Sequence, residues 1–100
     1  MVVRISRGRL GADKADEVQR LLQASEDSLR PAITALPGLV HYYVGLDRST
    51  GTMTNTSVWD SREHATAMAS LKAMLELRSV FEDAGVEFEP VTNHEVLWEL

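Results

Sequence analysis

The chain predicts an α+β protein: one four-stranded antiparallel sheet with helices on a single face, in the order β-α-β-β-α-β. Three observations predict it. Residues 2–9, 39–59 and 87–100 alternate with the period of half-buried strands, whereas residues 13–36 and 61–84 repeat with the period of amphipathic helices. The two middle strands flank the short polar loop Asp47-Arg48-Ser49-Thr50-Gly51 and so form a hairpin. No linker, internal repeat or low-complexity segment interrupts the order, so residues 1–100 make one domain.

The first strand, Val2 to Arg9, sets Val3 and Ile5 against Arg4 and Ser6, and Gly8 or Gly11 ends it. From Asp13 onward Ala15, Val18, Leu21, Leu22, Ser25, Leu29 and Ile33 recur at helical spacing, opposite Asp16, Glu17, Arg20, Glu26 and Asp27. This is one long helix. Pro31 lies inside it without an N–H to donate, so the helix should kink or restart there and stop at Pro37-Gly38.

The second and third strands, Leu39 to Leu46 and Thr52 to Trp59, are rich in Val, Tyr, Thr and Trp, which suit a pleated, half-buried surface. With Leu46 opposite Thr52, Tyr43 faces Asn55, His41 faces Ser57 and Leu39 faces Trp59. One face then carries His41, Tyr43, Asn55, Ser57 and Trp59, and the other Val40, Tyr42, Val44, Leu46, Thr54, Thr56 and Val58. A slip of one residue in either strand would exchange these sets.

Asp60 or Ser61 is the N-cap of the next helix, and Asp60 with Glu63 resembles a capping box. Ala65, Met68, Ala69 and Leu71 supply its buried side. Met74, Leu77, Val80 and Phe81 continue it or form a second short helix, ended by Gly85. Glu87 to Leu100 alternates again as the last strand, with Pro90 near its beginning. The full order is the ferredoxin-like split βαβ.

Composition excludes several classes. A net charge of −5 argues against general nucleic-acid binding, which relies on clustered Lys and Arg. The only basic cluster, Arg4, Arg7 and Arg9, reads as a solvated or edge-strand face, with an anion site as its alternative. The start Met1-Val2-Val3 meets Arg4 at once, and no apolar run approaches 18 residues; neither export nor a membrane span is expected, and the expected location is cytoplasmic. Without Cys there are no disulfides, thiolate ligands or cysteine nucleophiles.

At Leu36-Pro37-Gly38, in the Tyr42-Tyr43 strand, in the loop Asp47 to Gly51, and where Val58-Trp59-Asp60-Ser61 runs into Glu63-His64-Ala65, the chain resembles the dimeric α+β barrel superfamily. Within it, the chain is similar to the antibiotic-biosynthesis-monooxygenase-like proteins. The resemblance implies a homodimer whose two sheets pack into a barrel, with a ligand cavity in each subunit between sheet and helices. It also implies cofactor-free oxygenase chemistry on a small aromatic or polyketide-like molecule; a non-catalytic ligand-binding or assembly dimer is the alternative. Members of the superfamily often carry a His in the helix after the strand-ending Trp, and the haem-degrading ones an Asn on the first strand. Here Met68 stands near the first position and Val2 to Ser6 offer no Asn, so haem chemistry is not expected.

The candidate residues follow from the assigned face. His41 would accept a proton, since imidazole titrates near neutrality, although a core His bonded to a neighbour explains it too. Tyr43 or Asn55 would hold a developing oxyanion, and an Asn within a strand is itself unusual. Trp59, Ser57 and Met68 would line the pocket, Trp59 as a wall, though packing alone accounts for Trp59 and Met68. His64 belongs to solvent, His94 lies near Glu95 on the last strand with apolar neighbours on the opposite face, and the three His show no metal-ligand spacing. Ser57 has no Gly-flanked elbow and is not expected to be a nucleophile. No metal, flavin or haem is therefore expected. The β-branched second face, with Val40, Tyr42, Val44 and Val58, is expected to bury itself against a second copy.

Overall fold

Strand β1, Val2–Arg9, is the centre of the sheet in the computed structural model, which describes residues 1–100. It pairs antiparallel with β3, Thr52–Trp59, on one side and with two short strands, β4, Glu87–Phe88, and β5, Thr92–Glu95, on the other. Strand β2, Leu39–Asp47, pairs only with β3 and forms the opposite edge. The sheet is open. The expected α+β order is present, with two departures at the fourth strand position.

Pro90 breaks that position in two, because it has no N–H to give the ladder; Glu89 N–H still bonds Arg7 O at 2.9 Å just before the break. The expected strand to Leu100 also ends early, at Glu95. Glu95 pairs with Val2, the first residue of β1; Val96 N–H bonds Met1 O at 3.0 Å, and beyond it Leu97, Trp98 and Leu100 are exposed.

The central place of β1 corrects the reading of its arginines as one solvated face. Val2, Arg4 and Gly8 point under the helices and are buried, while Arg7 and Arg9 point outward and are exposed. Arg9 there lies 3.9 Å from both Glu87 and Glu89.

The first helical segment breaks elsewhere than expected. After a single 3-10 turn at Ala12–Lys14, α1 runs Ala15–Ala24 and α2 runs Glu26–Thr34, so the break is Ser25 and Pro31 lies inside α2. Ser25 is buried, and its hydroxyl donates to Leu22 O at 2.6 Å, a back-bond that bends helices. Pro31 instead faces solvent, as does Asp27, the residue whose carbonyl loses its partner, so water can take up the freed acceptor.

Helix α3, Arg62–Thr66, begins at Ser61, whose hydroxyl accepts from His64 N–H at 3.2 Å. Ser61 is thus the cap, and Asp60 Oδ1 instead bonds the His64 ring at Nδ1, 2.6 Å away. This bond holds the Asp60 carboxyl below its usual range. A 3-10 turn at Ala67–Ser70 and an extended Leu71 separate α3 from α4, Lys72–Asp83. Gly85, at φ +96°, closes α4: its N–H bonds Glu82 O, and Val86 N–H reaches back to Phe81 O, the Schellman pattern.

The hairpin register corrects the expected pairing. Asp47 belongs to the strand, because its carboxylate accepts from Ser49 and Thr50 N–H while its carbonyl accepts from Gly51 N–H. Asp47 therefore opposes Thr52, and each β2 partner shifts by one: Tyr42 opposes Ser57, Tyr43 opposes Thr56, and Val44 opposes Asn55. An irregularity between Leu39 and His41, with Val40 as the extra residue, restores Leu39 to Trp59. The β3 faces are as expected; those of β2 are exchanged from His41 onward.

Two apolar clusters fill the space between sheet and helices. Val2, Leu29, Ile33, Trp59, Ala65 and Met68 form one, and Val18, Leu22, Met53, Phe81 and Val86 the other.

Candidate active site

A cavity of about 230 Å³ lies over the middle of the sheet and draws its walls from both clusters. Its roof is mainly apolar, with Leu22 and Leu29 from α1 and α2, Met68 from the turn after α3, and Met74, Leu77 and Phe81 from α4, beside the polar Ser25, Thr66 and Arg78. Its floor is polar. Pairing across four strands sets Tyr42, Ser57, Arg4 and Asn93 in one row, and Val44, Asn55 and Ser6 in the next. Both rows face the helices, since alternation along β3 buries Met53, Asn55, Ser57 and Trp59 together.

Not every polar group in this helix-facing layer of the sheet is partnered. The Ser57 hydroxyl accepts from Trp59 Nε1–H at 2.7 Å, and both residues are fully buried. Asn55 Nδ2 reaches only Met74 Sδ, at 3.5 Å. The Tyr42 hydroxyl, Asn55 Oδ1 and Asn93 Oδ1 are buried with no hydrogen-bond partner. Such groups are rare inside proteins and costly to leave unmatched.

The electrostatics follow. Burial pushes the Tyr42 phenol up to about 12, against smaller downward pulls from the Arg4 charge and from the nearby Asn55 amide, which stops short of a hydrogen bond. Tyr42 is therefore a neutral hydroxyl at ordinary pH. Arg4 is 6% exposed, and no hydrogen bond or ion pair holds its guanidinium. Burial lowers its pKa, Tyr42 opposes that shift, and the positive charge of Arg78 adds to it. Arg78 lines the same cavity, its guanidinium 5.0 Å from the centre of the Phe88 ring and 3.9 Å from Glu82. No carboxylate or imidazole lines the cavity. The site can thus hold a flat apolar body, offer hydrogen bonds to it and stabilise negative charge, but it supplies no general base.

Of the residues expected at the site, Asn55 and Met68 line the cavity. Ser57 and Trp59 lie in the same buried layer without reaching the cavity wall, and the Ser57 hydroxyl is taken up by the indole. His41 and Tyr43 do not converge with them. The register shift turns both to the outer face, where their rings stack at 5.8 Å and Tyr43 is 56% exposed. His41 borders a separate, open groove of about 640 Å³ along the free edge of β2, against α1 and α2. That groove is larger, but it contains no buried polar atom lacking a partner except the Tyr42 hydroxyl that both spaces share. His64 is tied to Asp60, and His94 Nε2 lies 2.9 Å from Thr92 Oγ1.

Arg4, Tyr42 and Asn93 are the site residues that sequence reasoning missed. Arg4 shares strand parity with Val2, which is a usable signal, but the apolar Val3 and Ile5 outweighed it. Tyr42 needed the correct hairpin register. Asn93 needed the pairing of β5 with β1.

No protein-family model and no curated protein sequence matches the chain significantly. Solved structures do. A candidate antibiotic biosynthesis monooxygenase from Deinococcus radiodurans superposes with a TM-score of 0.76 at 20% identity, covering 100% of this chain and 96% of that one. Another, from Nitrosomonas europaea, gives 0.74 at 14% identity over 98% and 100% of the two chains. A variant of SnoaB, a cofactor-independent oxygenase from Streptomyces nogalater, gives 0.71 at 13% identity over 99% and 95%. The chain has the fold of these antibiotic biosynthesis monooxygenase structures along essentially its whole length.

Proposed function

We propose that the chain is a cofactor-independent, monooxygenase-like enzyme that acts as a homodimer on a small aromatic or polyketide-like molecule held in the cavity above Arg4, Tyr42 and Asn55. The observation that carries this reading is the cavity itself: mainly apolar on its roof, with three buried polar atoms on its floor that lack any partner within the protein. A ligand with hydroxyl or carbonyl groups on a flat ring would match both. The space is below the roughly 300 Å³ common for drug-sized ligands, which favours one or two fused rings. The fold neighbour SnoaB is a cofactor-independent oxygenase, which supports the reaction class.

In such a reaction a ring methylene flanked by carbonyl or phenol groups loses a proton, and the resulting anion gives electrons to O₂. One oxygen atom becomes the new carbonyl and the other leaves as water. Asn55 and Tyr42 orient the ring oxygens, while the roof keeps bulk water from the anion.

The dimer reading rests on the outer face. Val3, Ile5 and Val58 lie there half-buried beside exposed Tyr43, with no helix above them. The chain exposes 6293 Å², whereas a compact monomer of this mass exposes about 5,700 Å². A sheet-to-sheet contact would remove this excess.

Oxygen uptake with 2-tetralone, a two-ring ketone whose ring methylene lies between the carbonyl and the arene, as probe tests the function. Uptake by purified protein in chelator, reduced by Asn55→Ala, supports it. Binding without uptake would leave the non-catalytic ligand-binding dimer as the better reading.

A further inference from the structure

We propose that Arg4 is an oxyanion receptor, so that the cavity takes up hydroxyaromatic ligands in the ionised form, as phenolates or enolates. This rests on the cavity as the binding site and adds the charge state of the ligand and the residue that selects it.

Arg4 is the observation that demands explanation. An arginine more than nine-tenths buried as a residue is ordinarily matched by a carboxylate, because an uncompensated charge in a protein interior is costly. Here there is none. No acidic side chain lies within ion-pair distance of Arg4, and its neighbours across the strands, Ser57 and Asn93, are neutral. The only other titratable side chains lining the cavity are Tyr42, neutral below about pH 12, and Arg78, a second cation. Arg78 has Glu82 nearby on its own helix; Arg4 has nothing comparable.

The cavity thus holds two positive charges and no negative one. A ligand anion would complete it: its oxygen would bond the Arg4 fork, and its negative charge would offset both guanidinium groups. This also answers the absence of a base on the cavity walls. A site that binds the anion more tightly than the neutral molecule lowers the ligand pKa by linkage, so the proton leaves to bulk solvent as the ligand enters. No protein group needs to keep it. The anion left behind is the electron-rich species that reacts with O₂.

The test uses 4-nitrophenol, whose ionised form absorbs in the visible, with 4-nitroanisole as an isosteric ligand that cannot ionise. Spectral pH titration of wild-type protein with bound 4-nitrophenol should show its pKa at least one unit below the free value, equivalent to a tenfold preference for the phenolate. Arg4→Met should return that pKa to the free value or above, with detectable binding of 4-nitroanisole reporting that the cavity is still open. Arg78→Gln should give a smaller upward change, because this group is half exposed and already near Glu82. If the wild-type protein binds 4-nitroanisole but leaves the pKa of 4-nitrophenol unmoved, the oxyanion receptor is wrong and the cavity stands. A shift that persists in Arg4→Met also overturns it. If neither probe enters, both the receptor and the cavity reading fall.

Discussion

Tyr42→Phe removes a hydroxyl of the cavity floor that is buried without a hydrogen-bond partner. The ring remains, so its packing against the first cluster changes little. An unmatched buried hydroxyl costs about 1–3 kcal/mol, so the variant should be more stable than wild type at neutral pH by about 1 kcal/mol. For a chain of this size that corresponds to a rise of about 4–8 °C in melting temperature. A second signature lies at high pH. Because the folded phenol titrates near 12 and an unfolded tyrosine near its ordinary value of 10, the unfolded state releases its proton first, and stability falls as pH rises through that window. The loss is about 2 kcal/mol for a shift of this size. Tyr42→Phe should lack that part of the alkaline decline. Urea unfolding at fixed protein concentration, from pH 7 to 12, reads both effects. A variant less stable than wild type at pH 7, or one declining as steeply as wild type above pH 10, would refute the claim that this hydroxyl is buried and unpartnered.

Two further outcomes follow from the same geometry. Ser57→Ala strips the acceptor from the buried Trp59 indole N–H and should destabilise the chain by about 1–3 kcal/mol in chemical unfolding; a loss within error would show that the indole finds another partner. Ile5→Lys places a charge in the middle of the outer sheet face and should convert a wild-type dimer to monomer in light scattering with the fold retained by circular dichroism, whereas a monomeric wild type at micromolar concentration would end the barrel reading.

The sequence made the architecture legible through periodicity in the three long strands and the longer helical segments, whereas the short β4 and β5 were read as one strand. What escaped was local chemistry at the joints. The hairpin depended on whether Asp47 ends a strand or begins a loop, and alternation alone does not say; its side chain settled the matter by accepting the turn N–H groups. That single residue moved Tyr42 inward and His41 and Tyr43 outward. Ser25 broke the first helix through a hydroxyl back-bond that propensity does not register, and Pro31 was tolerated because its freed carbonyl partner faces water. Asn55 was legible because a polar amide in a strand invites a reason. Arg4 was not, since an arginine between Val3 and Ile5 looks like the solvent side of an edge strand until the strand is known to be central.

The central claim is that the working face of the sheet lies under the helices, with Asn55, and not on the outer face with His41. Calorimetric titration of 1-naphthol into wild-type, Asn55→Leu and His41→Ala protein tests it most directly. One site per chain is expected, with affinity reduced at least about tenfold by Asn55→Leu through its buried carbonyl, about 1.4 kcal/mol, and unchanged in His41→Ala. Loss of binding in His41→Ala with full affinity in Asn55→Leu would contradict it.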